Sequence, residues 1–154
     1  MWYNRVVHDM AQLPDAIDYY QKQLDSSWVE AKIVGSIERA AQELSGLVAY
    51  RFGQLQELEA ILKHLNIRYD KLRSDHYRRY LERYQRELTD RSIEKYIDGE
   101  DDVVTMATLV NEVALVRNKY LALIKGLEQK SYNISNIIKL RIVGMEDAHL
   151  DTRG

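Results

Sequence analysis

The stretch from Arg68 to Arg91, RYDKLRSDHYRRYLERYQRELTDR, concentrates residue types that bind nucleic acid. Between Lys63 and Arg91, nine Lys/Arg stand against five Asp/Glu, while the segments before and after carry net charges of −4 and −2. A chain of net charge −2 thus gathers its positive charge in one place. Tyr69, Tyr77, Tyr80 and Tyr84 are interleaved with the cations. Guanidinium groups answer phosphates, and flat phenol rings stack on unpaired bases at roughly 1–3 kcal/mol each, so the pattern suits a single strand. The same charges also have a structural use. Glu82 with Arg86 and Arg83 with Glu87 sit at the four-residue spacing of helical ion pairs. Tyrosine has two uses as well, since it tolerates a half-buried, wet helix surface. Tyr19, Tyr20, Tyr50 and Tyr120 fit that structural use.

Other chemistry finds little support. The histidines are His8, His64, His76 and His149. None pairs with another at three to five residues or shares a helix face with carboxylates at ligand spacing, so no metal is expected. Asp98, Glu100, Asp101 and Asp102 lack the spacing and final Glu of a calcium loop and suit a helix N-terminus. The chain has no phosphate-binding glycine loop, nucleophile elbow or Cys-His pair, so neither an enzyme nor a cofactor is expected.

The elements that must position the basic stretch are helical. The composition, 45% hydrophobic and 30% charged with one Pro, is that of long ordered helices. Cysteine is absent, which rules out disulfides and thiol chemistry. No apolar run approaches the ~18 residues that a membrane span needs. MWYNRVVHDM lacks the apolar core of a signal peptide, so a cytoplasmic location is expected.

Pro14 and Asp15 predict the first turn of a short helix whose apolar face is Ile17, Tyr20 and Leu24. Asp25-Ser26-Ser27 is expected to break it, and Ser27 with Glu30 forms a capping-box pattern that starts the next helix. From Val34, apolar residues recur by 3 and 4 through Ile37, Ala41, Leu44, Val48, Leu55, Leu58, Leu62, Leu65, Tyr69 and Leu72, with Arg51 the one exception. That is a heptad seam, and it predicts a long helix of about 80 Å if unbroken to Leu88. Gly35, Gly46 and Gly53 are either close-packing points or breaks. The next seam positions, His76, Arg79 and Arg83, are poor core residues. The apolar stripe is therefore expected to slip to Tyr77, Leu81, Tyr84 and Leu88, turning Lys71, Arg78, Arg79, Arg83 and Arg86 outward.

A bend at Leu88–Ser92 and a short helix at Ile93–Ile97 follow, then a turn at Asp98-Gly99. A second seam runs through Met106, Leu109, Val113, Val116, Tyr120, Leu123, Leu127, Ile134 and Ile137, with Lys130 the exception. Its stripe is broad, which predicts contacts on two sides, as in a bundle or ring of subunits. Gln129–Ser131 is expected to set off a separate C-terminal helix that stops at Gly144. The expected fold is all-α, with two long heptad-patterned helices in an antiparallel hairpin plus short helices, in an oligomeric assembly. Its parts are an N-terminal extension (1–30), a long helix with the basic stretch (31–91), a second long helix with a C-terminal oligomerisation helix (92–144) and a tail (145–154).

Three segments, in order, resemble the UvsY-type recombination mediators of bacteriophages. Lys71-x-Arg73-x-Asp75-x-Tyr77 is similar to that family's K-A-R-L-D-Y-type motif. Glu94–Val104, EKYIDGEDDVV, is similar to its K-Y-I-D-x-D-x-D stretch. Ser131-Tyr132-Asn133-Ile134-Ser135-Asn136-Ile137, followed by Arg141 and Gly144, is similar to its G-(F/Y)-x-I-x-x-I segment. The likeness covers roughly residues 44–144. It implies a non-enzymatic protein that binds single-stranded DNA as a homo-oligomer, a hexamer or heptamer. Such a protein helps load a RecA-like recombinase onto DNA covered by single-strand binding protein, in the host cell cytoplasm if phage-encoded.

The resemblance assigns DNA contacts to Lys71 and Arg73. The basic-aromatic pattern extends them to Tyr77, Arg78, Arg79, Tyr80, Arg83 and Arg86. The resemblance also implies oligomerisation through the C-terminal segment, here Tyr132, Ile134, Ile137, Ile138 and Leu140. Where the family usually ends its helix with Y-Y-(S/T)-G, this chain continues with Tyr77-Arg78-Arg79-Tyr80. The alternative is a structural or assembly coiled coil that binds protein only, its arginines spent in ion pairs.

Overall fold

The computed structural model describes residues 1–83 and 87–145. Among them there is no strand, and five α-helices follow one another: α1 (Trp2–His8), α2 (Leu13–Ser27), α3 (Ile37–Arg83), α4 (Asp90–Asp98) and α5 (Asp101–Ile142). Short 3-10 turns at Met10–Gln12 and Trp28–Ala31 link the first pieces. At 1.5 Å per residue, α3 and α5 are about 70 Å and 63 Å long. They form an antiparallel hairpin. Its register shows in two cross-helix contacts, Glu59 with Arg117 and His76 with Asp102. None of the described helices is long and apolar enough to cross a membrane.

The two seams make the core. Leu55, Leu58, Ile61 and Leu65 of α3 are buried against Val113, Val116, Tyr120, Leu123 and Leu127 of α5. The first thirty residues belong to this same core, with Val6, Leu13, Ala16, Tyr20 and Leu24 all buried in it. The ring of Tyr20 meets that of Tyr120 edge-on, 6.0 Å between centroids. Pro14 and Asp15 do stand in the first turn of α2.

α3 starts later than the seam suggests. Val34 is 73% exposed, and Gly35 has φ +74°, a left-handed conformation that favours glycine. Ser36 then caps the helix, its Oγ accepting from the Arg39 amide at 3.1 Å. Gly46 and Gly53 are neither breaks nor packing points, because a Cβ at either would meet nothing within 4 Å. Gly46→Ala and Gly53→Ala should each stabilise the fold by about 0.5–1 kcal/mol, since only the entropy of the unfolded chain changes. Urea unfolding midpoints check this, and a lower midpoint in either variant would refute it.

The two polar exceptions in the seams converge on one residue. Arg51 is buried, and its guanidinium grips the Glu30 carboxylate through Nη2–Oε1 at 2.5 Å and Nε–Oε2 at 2.9 Å. Gln54 and Gln23 accept two further bonds from Nη1, at 2.8 and 3.1 Å. Lys130, also buried, donates from Nζ to the Glu30 carbonyl at 2.8 Å. Glu30 therefore does not close a capping box with Ser27, whose Oγ instead donates back to the Leu24 carbonyl at the end of α2. Lys130 likewise removes the expected break, and α5 runs on as one helix. It ends in a Schellman turn, with Met145 N–H donating to Leu140 O and Gly144 (φ +74°) to Arg141 O.

Candidate nucleic-acid interface

α3 outruns its partner. His76 already faces Asp102 at the start of α5, so the following turns, Tyr77–Arg83, project past the hairpin. α4 folds back against this overhang. It starts at a Thr89 cap whose Oγ1 accepts from Ser92 N–H, and it buries Ile93 and Ile97 with Val103 against Tyr69, Leu72, Tyr77, Tyr80 and Leu88. The expected slip of the stripe is only partly realised. Tyr77 packs inward, but Leu81 is 58% exposed and His76 stays buried in the original seam. An imidazole is tolerated there because Asp102 answers it.

The basic and aromatic side chains divide into two sets. Lys71, Arg78, Arg79 and Arg83 are exposed and form no ion pair or hydrogen bond with any described residue. The second set is already engaged by acidic residues between 90 and 102. Arg73 is ion-paired with Asp98, lies 5.6 Å over the Tyr69 ring and donates to the Tyr69 hydroxyl at 3.3 Å. Tyr77 donates to Asp90 at 2.8 Å, and that bond raises its phenol above the usual range. Tyr80 donates to Glu100 at 2.6 Å. Arg73, Tyr77 and Tyr80 thus have a structural employment that their spacing did not reveal. Arg86 and Tyr84 lie outside the described residues.

A cleft of about 350 Å³ opens between the sets, lined by His76, Arg79, Tyr80, Arg83 and Glu100. On the far side of Tyr80 lies Tyr96, 53% exposed, the two rings 5.8 Å apart and inclined by 18°. Sequence reasoning passed over Tyr96 because it belongs to another helix. Its local signals are its place at the flank of the apolar face of α4, three residues from Ile93, and its membership of the Glu94–Val104 segment.

At the opposite end of the hairpin, the C-terminal residues also divide. Ile134 is 5% exposed and part of the hairpin core, so it is not a free oligomerisation surface. Ile137 is half-buried. Tyr132, Ile138 and Leu140 are exposed, as are Ile142, Val143 and Met145 beyond them. Arg73, Tyr77 and Ile134 are therefore the expected site residues whose side chains the fold itself uses most heavily. Comparison with protein-family models, with curated proteins and with solved structures finds no match for the chain.

Proposed function

We propose that this chain is a single-stranded DNA-binding recombination mediator of the UvsY type, a homo-oligomer that helps load a RecA-like recombinase onto DNA covered by single-strand binding protein. The observation that carries the proposal is the overhang of α3. There Arg78, Arg79 and Arg83 stand exposed and unpaired among the described residues, and Arg79 and Arg83 line a cleft with Tyr80. Exposed cations that can meet phosphates, close to aromatic side chains, are the parts of a single-strand site. The exposed apolar end of α5 supports self-association, and an oligomer repeats a basic patch that is weak on one subunit.

A protein-only scaffold is favoured by one observation, the engagement of Arg73 in an ion pair and of Tyr77 and Tyr80 in hydrogen bonds to acidic residues. Fluorescence anisotropy with an oligo-dT strand, together with native mass with and without that strand, separates the two. A mediator binds, loses affinity steeply with salt and shifts in mass. No binding at low salt would overturn the proposal in favour of the scaffold.

A further inference from the structure

We propose that His76, Glu100 and Asp102 form a site for a first-row divalent cation of the zinc class, clamping the middle of α3 to the start of α5. The three residues lie 24 and 26 positions apart along the chain, so no local spacing pattern contains them. The His76 side chain is 8% exposed, and its Nε2 lies 2.8 and 3.0 Å from the two Asp102 oxygens. Glu100 Oε1 is 3.9 Å from Nδ1 of the same ring, and one donor atom of each residue lies within 4.8 Å of the others.

The distances suit a metal. Two zinc bonds of about 2.1 Å at the tetrahedral angle span about 3.4 Å, so Nε2 and an Asp102 oxygen, now 2.8 and 3.0 Å apart, need open by only a few tenths of an ångström. A cation can thus take the place of the proton in that hydrogen bond without backbone movement. Glu100, now nearer Nδ1, completes the set by swinging its side chain toward the Nε2 side of the ring. It stands at the N-cap of α5 yet makes no side-chain capping bond. Its described hydrogen bond is the one to the Tyr80 hydroxyl. The remaining coordination positions face the cleft lined by Arg79 and Arg83, where water or an anion has room.

The charges around the three residues nearly balance. The N-terminus of α5 contributes about half a positive charge, and Arg79 and Arg83 add two at the cleft wall. Against them stand Asp98, Glu100, Asp101 and Asp102, with Arg73 satisfying Asp98. Four carboxylates against three guanidiniums and the helix N-terminus leave about half a negative charge over. An imidazole with two carboxylates favours zinc or manganese over magnesium and calcium, which prefer oxygen alone. The site stands or falls independently of nucleic-acid binding.

The test is a titration of the chelator-stripped full chain with Zn²⁺, in competition with a chromophoric chelator, and thermal unfolding with Zn²⁺ or Mg²⁺ added. One Zn²⁺ per chain is expected, raising the melting temperature where Mg²⁺ at the same concentration does not. Asp102→Asn and Glu100→Gln should each weaken Zn²⁺ binding by about tenfold or more, with circular dichroism of the metal-free proteins unchanged. His76→Gln should abolish it, and His8→Gln should leave it intact. Absence of binding, binding that survives both Asp102→Asn and Glu100→Gln, or equal stabilisation by Mg²⁺ would each overturn the site.

Discussion

Glu30→Ala should be among the most damaging single substitutions in this protein, lowering stability by about 3–5 kcal/mol. Arg51 is 4% exposed, and its guanidinium depends on the Glu30 carboxylate for two of its bonds and all of its charge compensation. Removing the carboxylate leaves a buried cation with the amide oxygens of Gln23 and Gln54 and the face of the Tyr50 ring, none of which carries a charge. A domain of this size is stable by about 5–15 kcal/mol, so the loss is a large share of the whole. The double variant Glu30→Ala/Arg51→Met should recover much of it, because an apolar pair of similar volume costs no desolvation. Lys130 still reaches the Glu30 carbonyl in both variants, so the comparison isolates the charge pair. Urea unfolding of the three proteins decides. If Glu30→Ala behaves like disruption of the exposed Lys22–Asp18 pair, with no more than a marginal change, the network is ornamental.

The triple variant Arg78→Ala/Arg79→Ala/Arg83→Ala should bind an oligo-dT strand at least about tenfold more weakly than the parent chain at low salt. Three phosphate contacts on a single strand contribute about 2 units to the slope of log affinity against log salt. Between 50 and 200 mM salt the parent should therefore lose about 20-fold more affinity than the variant. Arg73 is expected to behave differently. A phosphate must first displace Asp98 to reach it, so Arg73→Ala should cost less than the triple variant. Asp98→Asn, which frees Arg73 and removes a negative charge, should bind more tightly than the parent. The opposite ranking, with Lys71→Ala and Arg73→Ala damaging and the triple variant neutral, would place the strand on the motif of the resemblance and take it off the overhang.

The hairpin was legible because helical periodicity is local. Leu44, Leu55, Leu58 and Leu65, and Val113, Val116, Tyr120 and Leu127, recur at spacings that a helix alone explains, and all are buried. The exceptions were legible only as exceptions. Arg51 and Lys130 stand out as polar residues in apolar seams, but their common partner Glu30 is 21 and 100 positions away. Nothing local ties them together. α1 was not legible because WYNRVVH is seven residues with no side-chain cap, and it packs mainly against α3. For the candidate interface, composition marked the segment that carries the exposed arginines of α3. It did not distinguish exposed arginines from engaged ones, because that depends on where Asp90, Asp98, Glu100 and Asp102 arrive after a turn. His76 illustrates the point best. It looks like an interruption of the seam on its own helix and becomes a cross-helix contact once Asp102 is beside it.

The stagger of the two helices gives the molecule a polarity. One end is a cationic prow, the projecting turns of α3. The other, about 60 Å away along α5, is the apolar stern of Ile138, Leu140, Ile142 and Val143. A rod built this way cannot join like end to like end through both termini at once. Copies gathered in a closed ring by their apolar ends point every prow toward the same rim. Copies joined tail to tail in a two-fold pair point them in opposite directions, more than 100 Å apart. Under the proposed function, a continuous strand would track the first arrangement and only bridge the second, so the symmetry of any self-association would decide whether the arginines act on one strand or on two.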